Sequence, residues 1–350
     1  MQLTNITLTH FRSYQKVHIG FSPTVTLLIG PNAIGKTNII EAIFLCSTGK
    51  SFRAKKDSDI ISWGDEVARV KTMGINSQEE FLLEIVITTG IVNGQKAPSK
   101  KYLVNNVPRR HIDFIGNFRS VLFSPSDLEL VTDSPSMRRE YLNTVLVQVD
   151  REYRRNLQSY ERGLRQRNSL LDRISDGTAN RSQLLFWNQL LIKAGSYITE
   201  TRKRYIETIN AYSFSHLSYQ LMYDPSVISV NRLEEYRDEE IAAKSTLVGP
   251  QRDDFIFEKK INQNKIDISR FGSRGEQRLA VLWLKLAELT YIESQTGERP
   301  TLLLDDIFSE LDENSREFVL ALTKKQQTII TSAEEDVVQL MDNVAKVIRL

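Results

Sequence analysis

An α/β fold whose core is assembled from both ends of the chain is predicted by three observations. A phosphate-binding loop, Gly30-Pro31-Asn32-Ala33-Ile34-Gly35-Lys36-Thr37, follows the apolar run Val25–Ile29 near the start. Its matching acidic strand, Thr301-Leu302-Leu303-Leu304-Asp305-Asp306, comes only near the far end. Between them, period-2 apolar alternation gives way from about Ser134 to long helical periodicity. The expected architecture is a P-loop head with a flanking antiparallel β-sheet and a compact helical arm lobe inserted into it.

In the first third, Ile6 and Leu8 alternate with polar residues, as do Val17, Ile19 and Phe21, and residues 81–88 precede the turn pair Asn93-Gly94. Alternation bounded by turn residues marks strands with one buried face. The pattern Ile39, Ile40, Ala42, Ile43 after Thr37 sets the phosphate loop between a strand and a helix, the context its chemistry needs. Gly30 and Gly35 let backbone amides curl round an anion, with Pro31, Asn32, Ala33 and Ile34 between them. The helix starting near Lys36 adds its positive dipole end, with Asn38 in the same turn. Lys36 is expected on the outer phosphates and the Thr37 hydroxyl on Mg²⁺. A chance Gly-rich turn is the competing reading, and the flanking pattern argues against it.

In the insert, Tyr153, Leu157, Tyr160, Leu164 and Leu171 form one helical stripe, interrupted by Arg167 and ended by Ser175-Asp176-Gly177-Thr178. Leu184, Trp187, Leu191, Ala194, Ile198, Tyr205 and Ile209 form a second, and two such helices pack as an antiparallel hairpin. Arg138, Arg139, Arg151, Arg154, Arg155, Arg162, Arg165 and Arg167 outnumber Glu140, Asp150, Glu152 and Glu161 here. A positive stretch without a base-reading motif favours the nucleic-acid backbone, and Arg138, Arg139, Arg151, Arg154 and Arg155 are the candidate DNA contacts. A solvated helix face with i to i+4 pairs is the competing reading. Lys55, Lys56, Lys100, Lys101, Arg109 and Arg110 form further basic pairs outside it.

Towards the far end, Phe271-Gly272-Ser273-Arg274-Gly275-Glu276-Gln277-Arg278 leads into a helical run over 279–289, with Ser273 and Glu276 at capping-box spacing. Pro300 opens the Leu-rich strand that ends in Asp305 and Asp306. Because side chains alternate along a strand, Asp305 is expected to reach Mg²⁺ while Asp306 turns toward an attacking water. Ser309-Glu310-Leu311-Asp312 follows, and Asp312 is placed to cap the next helix.

Phosphate loop, long insert, Ser-x-Gly-x-Gln at a helix start, acidic strand and Ser-Glu-Leu-Asp make up the layout of ABC-type ATPase heads. In detail the chain resembles the RecF family, bacterial recombination and repair ATPases related to SMC-type heads. The likeness is carried by His10-Phe11-Arg12-Ser13-Tyr14, Asn32-Ala33-Ile34-Gly35-Lys36-Thr37-Asn38, Ser134-Pro135-Ser136-Met137-Arg138-Arg139-Glu140-Tyr141-Leu142 and Ser273-Arg274-Gly275-Glu276-Gln277. Leu304-Asp305-Asp306-Ile307-Phe308 with residues 309–312 adds to it, and Leu247-Val248-Gly249-Pro250-Gln251-Arg252-Asp253-Asp254-Phe255 is its most specific element.

This resemblance implies an ATPase head of residues 1–130 and 245–350 around an arm lobe of 131–244, binding ATP and Mg²⁺. It implies Lys36 and Asp306 as catalytic residues, and Ser273, Gly275 and Gln277 closing over the γ-phosphate held by a second subunit. Arg12 and Arg53 lie beside the phosphate-loop strand and helix in sequence, and likeness to SMC-type heads implies that Arg12 touches the nucleotide. ATP would then drive a homodimer that grips duplex DNA and single/double-strand junctions with little sequence specificity, and weak, DNA-stimulated hydrolysis would release it. RecR and RecO are the implied partners, in replication and recombinational repair. Two positions depart: Gln251 stands where family members often carry His, and Asp306 where ABC transporter heads carry Glu, although an Asp-Asp pair is itself RecF-like. A shorter carboxylate, and no histidine in Thr331-Ser332-Ala333, fit slow turnover, a timer rather than a motor. Residues 124–128 occupy the stretch where such heads link nucleotide state to the arm, without the glutamine that would mark it.

At 350 residues and 41% hydrophobic content the chain is large enough for two lobes. The single cysteine, Cys46, excludes an internal disulfide framework, and its place on the apolar side of the phosphate-loop helix points to a packed thiol. No stretch approaches the roughly 20 apolar residues that span a bilayer, and the first residues are not a basic segment before an apolar block, so a cytoplasmic location without membrane contact is expected. With 46 basic and 44 acidic residues, any DNA contact must come from how charge is distributed. His10, His18, His111 and His216 are scattered singly and read as structural. Three function classes remain open: a DNA-stimulated ATPase serving as a repair loading factor, a nearly non-hydrolysing ATP-gated DNA clamp or SMC-like scaffold, and a P-loop ATPase or kinase with no DNA role. The last leaves residues 273–277 and 309–312 unexplained.

Overall fold

The computed structural model describes residues 1–77, 79–214, 217–261, 264–308, 313–338 and 344–350. The Ser309 to Asp312 segment and His216 therefore lie outside the described residues. The chain divides into two compact units, one of Met1–Asp127 with Lys285–Leu350 and one of Leu128–Leu284. Residues 245–284, expected with the head, group by contact with the second unit, and the helix Arg274–Thr296 runs through the later parting.

In the first unit five parallel strands stand in the order Ser120–Phe123, Thr301–Asp305, Thr328–Ser332, Val25–Ile29, Val344–Arg349. The middle three are buried along their whole length, as strands covered on both faces must be. This order brings the two ends of the sequence together: the strand before the phosphate loop and the acidic strand share one neighbour, Thr328–Ser332. The helix Lys36–Thr48 buries Ile39, Ile40, Ile43 and Cys46, and burial pushes the Cys46 thiol well above its usual pKa.

A six-stranded antiparallel sheet completes this unit, in the order Tyr14–Gly20, Gln2–Phe11, Val67–Ile75, Glu80–Thr88, Lys100–Val104, Val107–Arg109. The expected alternation is realised: Ile6, Leu8, Val70, Leu83 and Ile85 face inward and are fully buried. Asn93 and Gly94, at φ 49° and 76°, make the tight turn of a small hairpin, Ile91–Val92 with Gln95–Lys96. Gln327, buried at the start of a parallel strand, ties the two sheets together. Its amide accepts from Leu3 N–H and donates to Leu3 C=O, both at 2.7 Å, and also donates to Ser22 C=O at 2.8 Å.

The second unit is led by the helices Arg151–Ser175 and Leu184–Asn210. They run antiparallel, since Arg167 Nε donates to Asn188 Oδ1 at 2.8 Å while Arg202 Nε donates to Tyr153 Oη at 3.0 Å. Arg167 does not interrupt the apolar stripe but occupies it. Its guanidinium is buried on Glu240, at 2.6 Å, and on the Thr246 hydroxyl, at 2.8 Å, so its charge is not on the surface. A three-stranded antiparallel sheet, Tyr219–Asp224, Asp254–Ile261 and Asn264–Asp267, lies in the same unit.

The Val-Gly-Pro-Gln-Arg-Asp-Asp element is the clasp of this unit. Asp253, fully buried, accepts from Arg202 Nη1 at 2.7 Å, from Ser226 N–H at 2.8 Å and from the Tyr223 hydroxyl. Asp254 receives both arms of the Arg138 guanidinium, at 2.6 and 3.0 Å. Gln251 accepts from the Tyr160 hydroxyl and donates to Val248 C=O at 2.9 Å, which gives it a structural place in the clasp. Gly249, at φ 120°, has no room for a side chain, because a Cβ there would sit 2.2 Å from Tyr160 Oη.

Candidate functional site

The phosphate loop turns on two left-handed residues, Ala33 at φ 67° and Gly35 at φ 113°. Successive amides in such a conformation converge into an anion-binding concavity, and the first amides of the helix that follows have no intrahelical partner. Lys36 is only 6% exposed, and its ammonium donates to Gly30 C=O at 2.6 Å and Pro31 C=O at 3.0 Å, so it lies folded over its own loop. Ile34 projects outward from the tip.

The central sheet sets Thr37 against the acidic strand. Thr37 Oγ1 donates to Asp305 Oδ1 at 3.0 Å, across 268 residues of sequence, and Thr331 Oγ1 donates to the same oxygen at 2.7 Å. Burial raises the Asp305 carboxyl above its usual range, the two hydroxyls oppose that rise, and the neighbouring Asp306 adds to it. Among the described residues no group of three or more His, Cys, Asp or Glu could hold a metal alone. A hydroxyl and a carboxylate side by side instead fit Mg²⁺, which takes few protein oxygens and completes its shell from phosphates and water.

Asp306 does not follow the alternation that the sequence predicts. The strand ends at Asp305, and Asp306 sits at φ 53°, its N–H donating to Thr331 Oγ1 at 3.0 Å and Thr331 C=O at 3.2 Å. A left-handed non-glycine residue at the mouth of a site is stored strain, and here it aims the carboxylate by a turn rather than by strand pleat.

Arg12 is held by Glu41, whose buried carboxylate takes Nε at 2.9 Å and Nη2 at 2.6 Å, while Nη1 donates to Asp59 C=O at 2.6 Å. Arg53 reaches Asn38 Oδ1 at 3.2 Å, so Arg12, Arg53 and Asn38 all gather at the start of the phosphate-loop helix. Nothing in the sequence marks Glu41 as the acid shared by Arg12 and Arg53, because a single acid in an apolar helix face carries no pattern of its own.

In the second unit, Ser273 and Glu276 form the reciprocal cap their spacing predicts: Ser273 N–H donates to Glu276 Oε2 at 3.0 Å, and Glu276 N–H to Ser273 Oγ at 3.3 Å. The Lys259 ammonium, at 2.7 Å, and the Ser273 N–H hold the Glu276 carboxyl down to about 2. Gln277 Nε2 faces Ile268 C=O at 3.3 Å. Ser273 and Gly275 are exposed, with Phe271 beside them 75% exposed. Of the arm arginines, Arg138 is buried on Asp254, Arg139 donates to Asp253 C=O at 3.0 Å, and Arg154 donates to Val147 C=O at 2.6 Å. Arg151 and Arg155 are exposed, as are Arg162 and Arg165.

A phosphate loop and an acidic strand carried by one parallel sheet, with an antiparallel sheet at its flank, is the construction of ABC-type ATPase heads, and this chain is such a head. Residues 2–350 match the family model described as RecF/RecN/SMC N terminal domain. The DNA replication and repair protein RecF of Clostridium perfringens is 35% identical over 368 residues, covering 100% of this chain and 98% of that one. Its counterpart from Natranaerobius thermophilus is 38% identical over 362 residues, covering 95% and 91%. A solved structure of the recombination mediator protein RecF with ATP, in the RecFOR pathway, superposes with a TM-score of 0.85 at 32% identity, covering 96% and 93%. An Smc head domain from Pyrococcus yayanosii shares the fold at a TM-score of 0.55 and 16% identity, covering 100% and 95%. The chain belongs to the RecF family.

Proposed function

We propose that this protein is an ATP-gated DNA-binding factor of gap and fork repair, in which ATP joins two heads and slow hydrolysis parts them. The observation that carries the reading is the 3.0 Å contact between Thr37 and Asp305, which puts the phosphate loop and the acidic strand in one site. As functional domains we propose a head of residues 1–130 and 245–350 and an arm lobe of 131–244.

In this mechanism Lys36 swings from the carbonyls of Gly30 and Pro31 to the outer phosphates, and residues 30–38 cradle the polyanion with amides and the helix dipole. Thr37 and Asp305 would hold Mg²⁺, which supplies charge neutralisation on the phosphate oxygens. Asp306 orients the attacking water, and Arg12, kept in place by Glu41, reads the nucleotide from the side of the helix start. Ser273, Gly275 and Gln277 of a second copy close over the γ-phosphate. Gly275 supports this closure, since a Cβ there would meet nothing nearer than Ser273 Oγ at 4.0 Å. Among the described residues the protein's own packing does not demand a glycine at that position, whereas close approach of another surface does.

The arm supports a DNA contact through a revised set of arginines. Arg151, Arg155, Arg162 and Arg165 fall within roughly 80° of helix circumference over about 21 Å, at 3.6 residues per turn and 1.5 Å per residue. That face lies opposite the buried Tyr153, Tyr160 and Arg167. Arg155 pairs with Glu152 at 2.7 Å, an exposed pair that exchanges readily for a phosphate. Arg138, committed to Asp254, belongs to the clasp instead. The triple variant Arg155→Glu, Arg162→Glu, Arg165→Glu is expected to weaken duplex binding and to flatten log K against log salt by about 0.9 for each phosphate no longer neutralised. Titrations at several salt concentrations read this out, and an unchanged slope would remove the arm from the DNA interface. RecR and RecO remain the proposed partners, on family grounds.

A further inference from the structure

The strands Gln2–Phe11 and Tyr14–Gly20 are joined through Arg12 and Ser13, with Phe11 paired to Tyr14 across the turn. The backbone there is strained, with His10 at φ 49° and Arg12 at φ 52°. This turn lies against the phosphate loop. Asn38 Nδ2 donates to Ser13 Oγ at 3.0 Å, and a Cβ built on Gly35 would sit 2.8 Å from Tyr14 Oη and 3.1 Å from Ser13 Oγ. The Tyr14 hydroxyl is shielded from solvent and finds no hydrogen-bond partner among the described residues.

A desolvated, unbonded hydroxyl is a loss to folding, and phenylalanine would fill the same space without it. The oxygen instead abuts the glycine that opens the anion cradle, one residue before Lys36. We infer that the Tyr14 hydroxyl is a phosphate ligand of this site, donating one neutral hydrogen bond to a polyphosphate oxygen beside Gly35. This rests on the nucleotide reading above. Burial raises the phenol's pKa, so Tyr14 stays an O–H donor at neutral pH. Lys36 and the helix end supply charge, and Tyr14 adds direction from the flanking sheet.

The test measures Kd for ATP and for inorganic tripolyphosphate, with the ligand-free melting temperature, in wild type, Tyr14→Phe and Lys36→Ala. Tyr14→Phe is expected to melt no lower than wild type yet to bind both ligands about tenfold more weakly, the share of one hydrogen bond to a charged group. Wild-type affinity in Tyr14→Phe, with binding lost in Lys36→Ala, overturns the role of Tyr14 and leaves the nucleotide reading intact. A loss for ATP alone overturns the assignment to phosphate. A melting temperature that falls together with affinity makes the hydroxyl structural and overturns it too. Normal binding in Lys36→Ala sinks the nucleotide reading and this inference with it.

Discussion

Asp306→Asn is expected to slow ATP turnover by about a hundredfold or more, the contribution of a positioned acid–base group, while ATP binding and ATP-driven dimerisation persist. The geometry makes this substitution unusually clean. Asp306 sits at φ 53°, and asparagine is the residue besides glycine that best tolerates that conformation. Its backbone bonds to Thr331 involve only the N–H and survive the change. What disappears is the negative charge next to Asp305, and with it the group proposed to orient water. Single-turnover phosphate release, run beside an ATP-binding titration, separates the two effects. A wild-type rate in Asp306→Asn would relieve this residue of its role and return the question to Asp305 and Thr331.

Arg202→Met is expected to cost about 3–5 kcal/mol, the range for removing one partner of a buried ion pair. Arg202 is 2% exposed and donates to Asp253 Oδ2, Pro250 C=O, Asn143 Oδ1 and Tyr153 Oη, between 2.7 and 3.0 Å. Methionine fills much of the volume but leaves the Asp253 carboxylate buried with only neutral donors. Native domains hold roughly 5–15 kcal/mol in all, so denaturant unfolding should show the second unit failing early. Adding Asp253→Asn should restore part of the loss, because the stranded charge is then gone. If the single variant unfolds like wild type, the clasp is ornamental and the specificity of the Val-Gly-Pro-Gln-Arg-Asp-Asp element needs another cause.

The elements legible in the sequence are those whose signal is local. The phosphate loop, its strand and helix, and the Leu-rich acidic strand are each specified within a dozen residues, and the Ser273–Glu276 cap forms between the residues whose spacing announces it. What stays hidden depends on tertiary placement. Arg138 and Arg167 look like surface charge until Asp254 and Glu240 are brought to them from far along the chain. Asp306 reads as the next pleat of a strand because alternation presumes extended backbone, and the chain turns left-handed there instead. Thr331 stands out in sequence only for not being a histidine, yet its hydroxyl makes the shorter of the two bonds to Asp305. Tyr14 enters the sequence reading only as the last residue of the stretch His10-Phe11-Arg12-Ser13-Tyr14, and what singles out its hydroxyl is the packing of one hairpin on Gly35.

The central claim is that ATP completes its site with a second copy of this chain, and molecular mass in solution tests it most directly. Wild type and Gly275→Arg would be weighed without nucleotide, with ADP·Mg²⁺ and with ATP·Mg²⁺. Gly275 lies near the start of a helix with open space at its Cβ, so arginine there should hold or raise the stability of the single chain. A shared site predicts a dimer for wild type with ATP alone, and a monomer for Gly275→Arg that still binds ATP. A wild-type mass that ignores nucleotide, or a Gly275→Arg protein that dimerises with ATP as wild type does, would contradict it and leave a P-loop enzyme that acts alone.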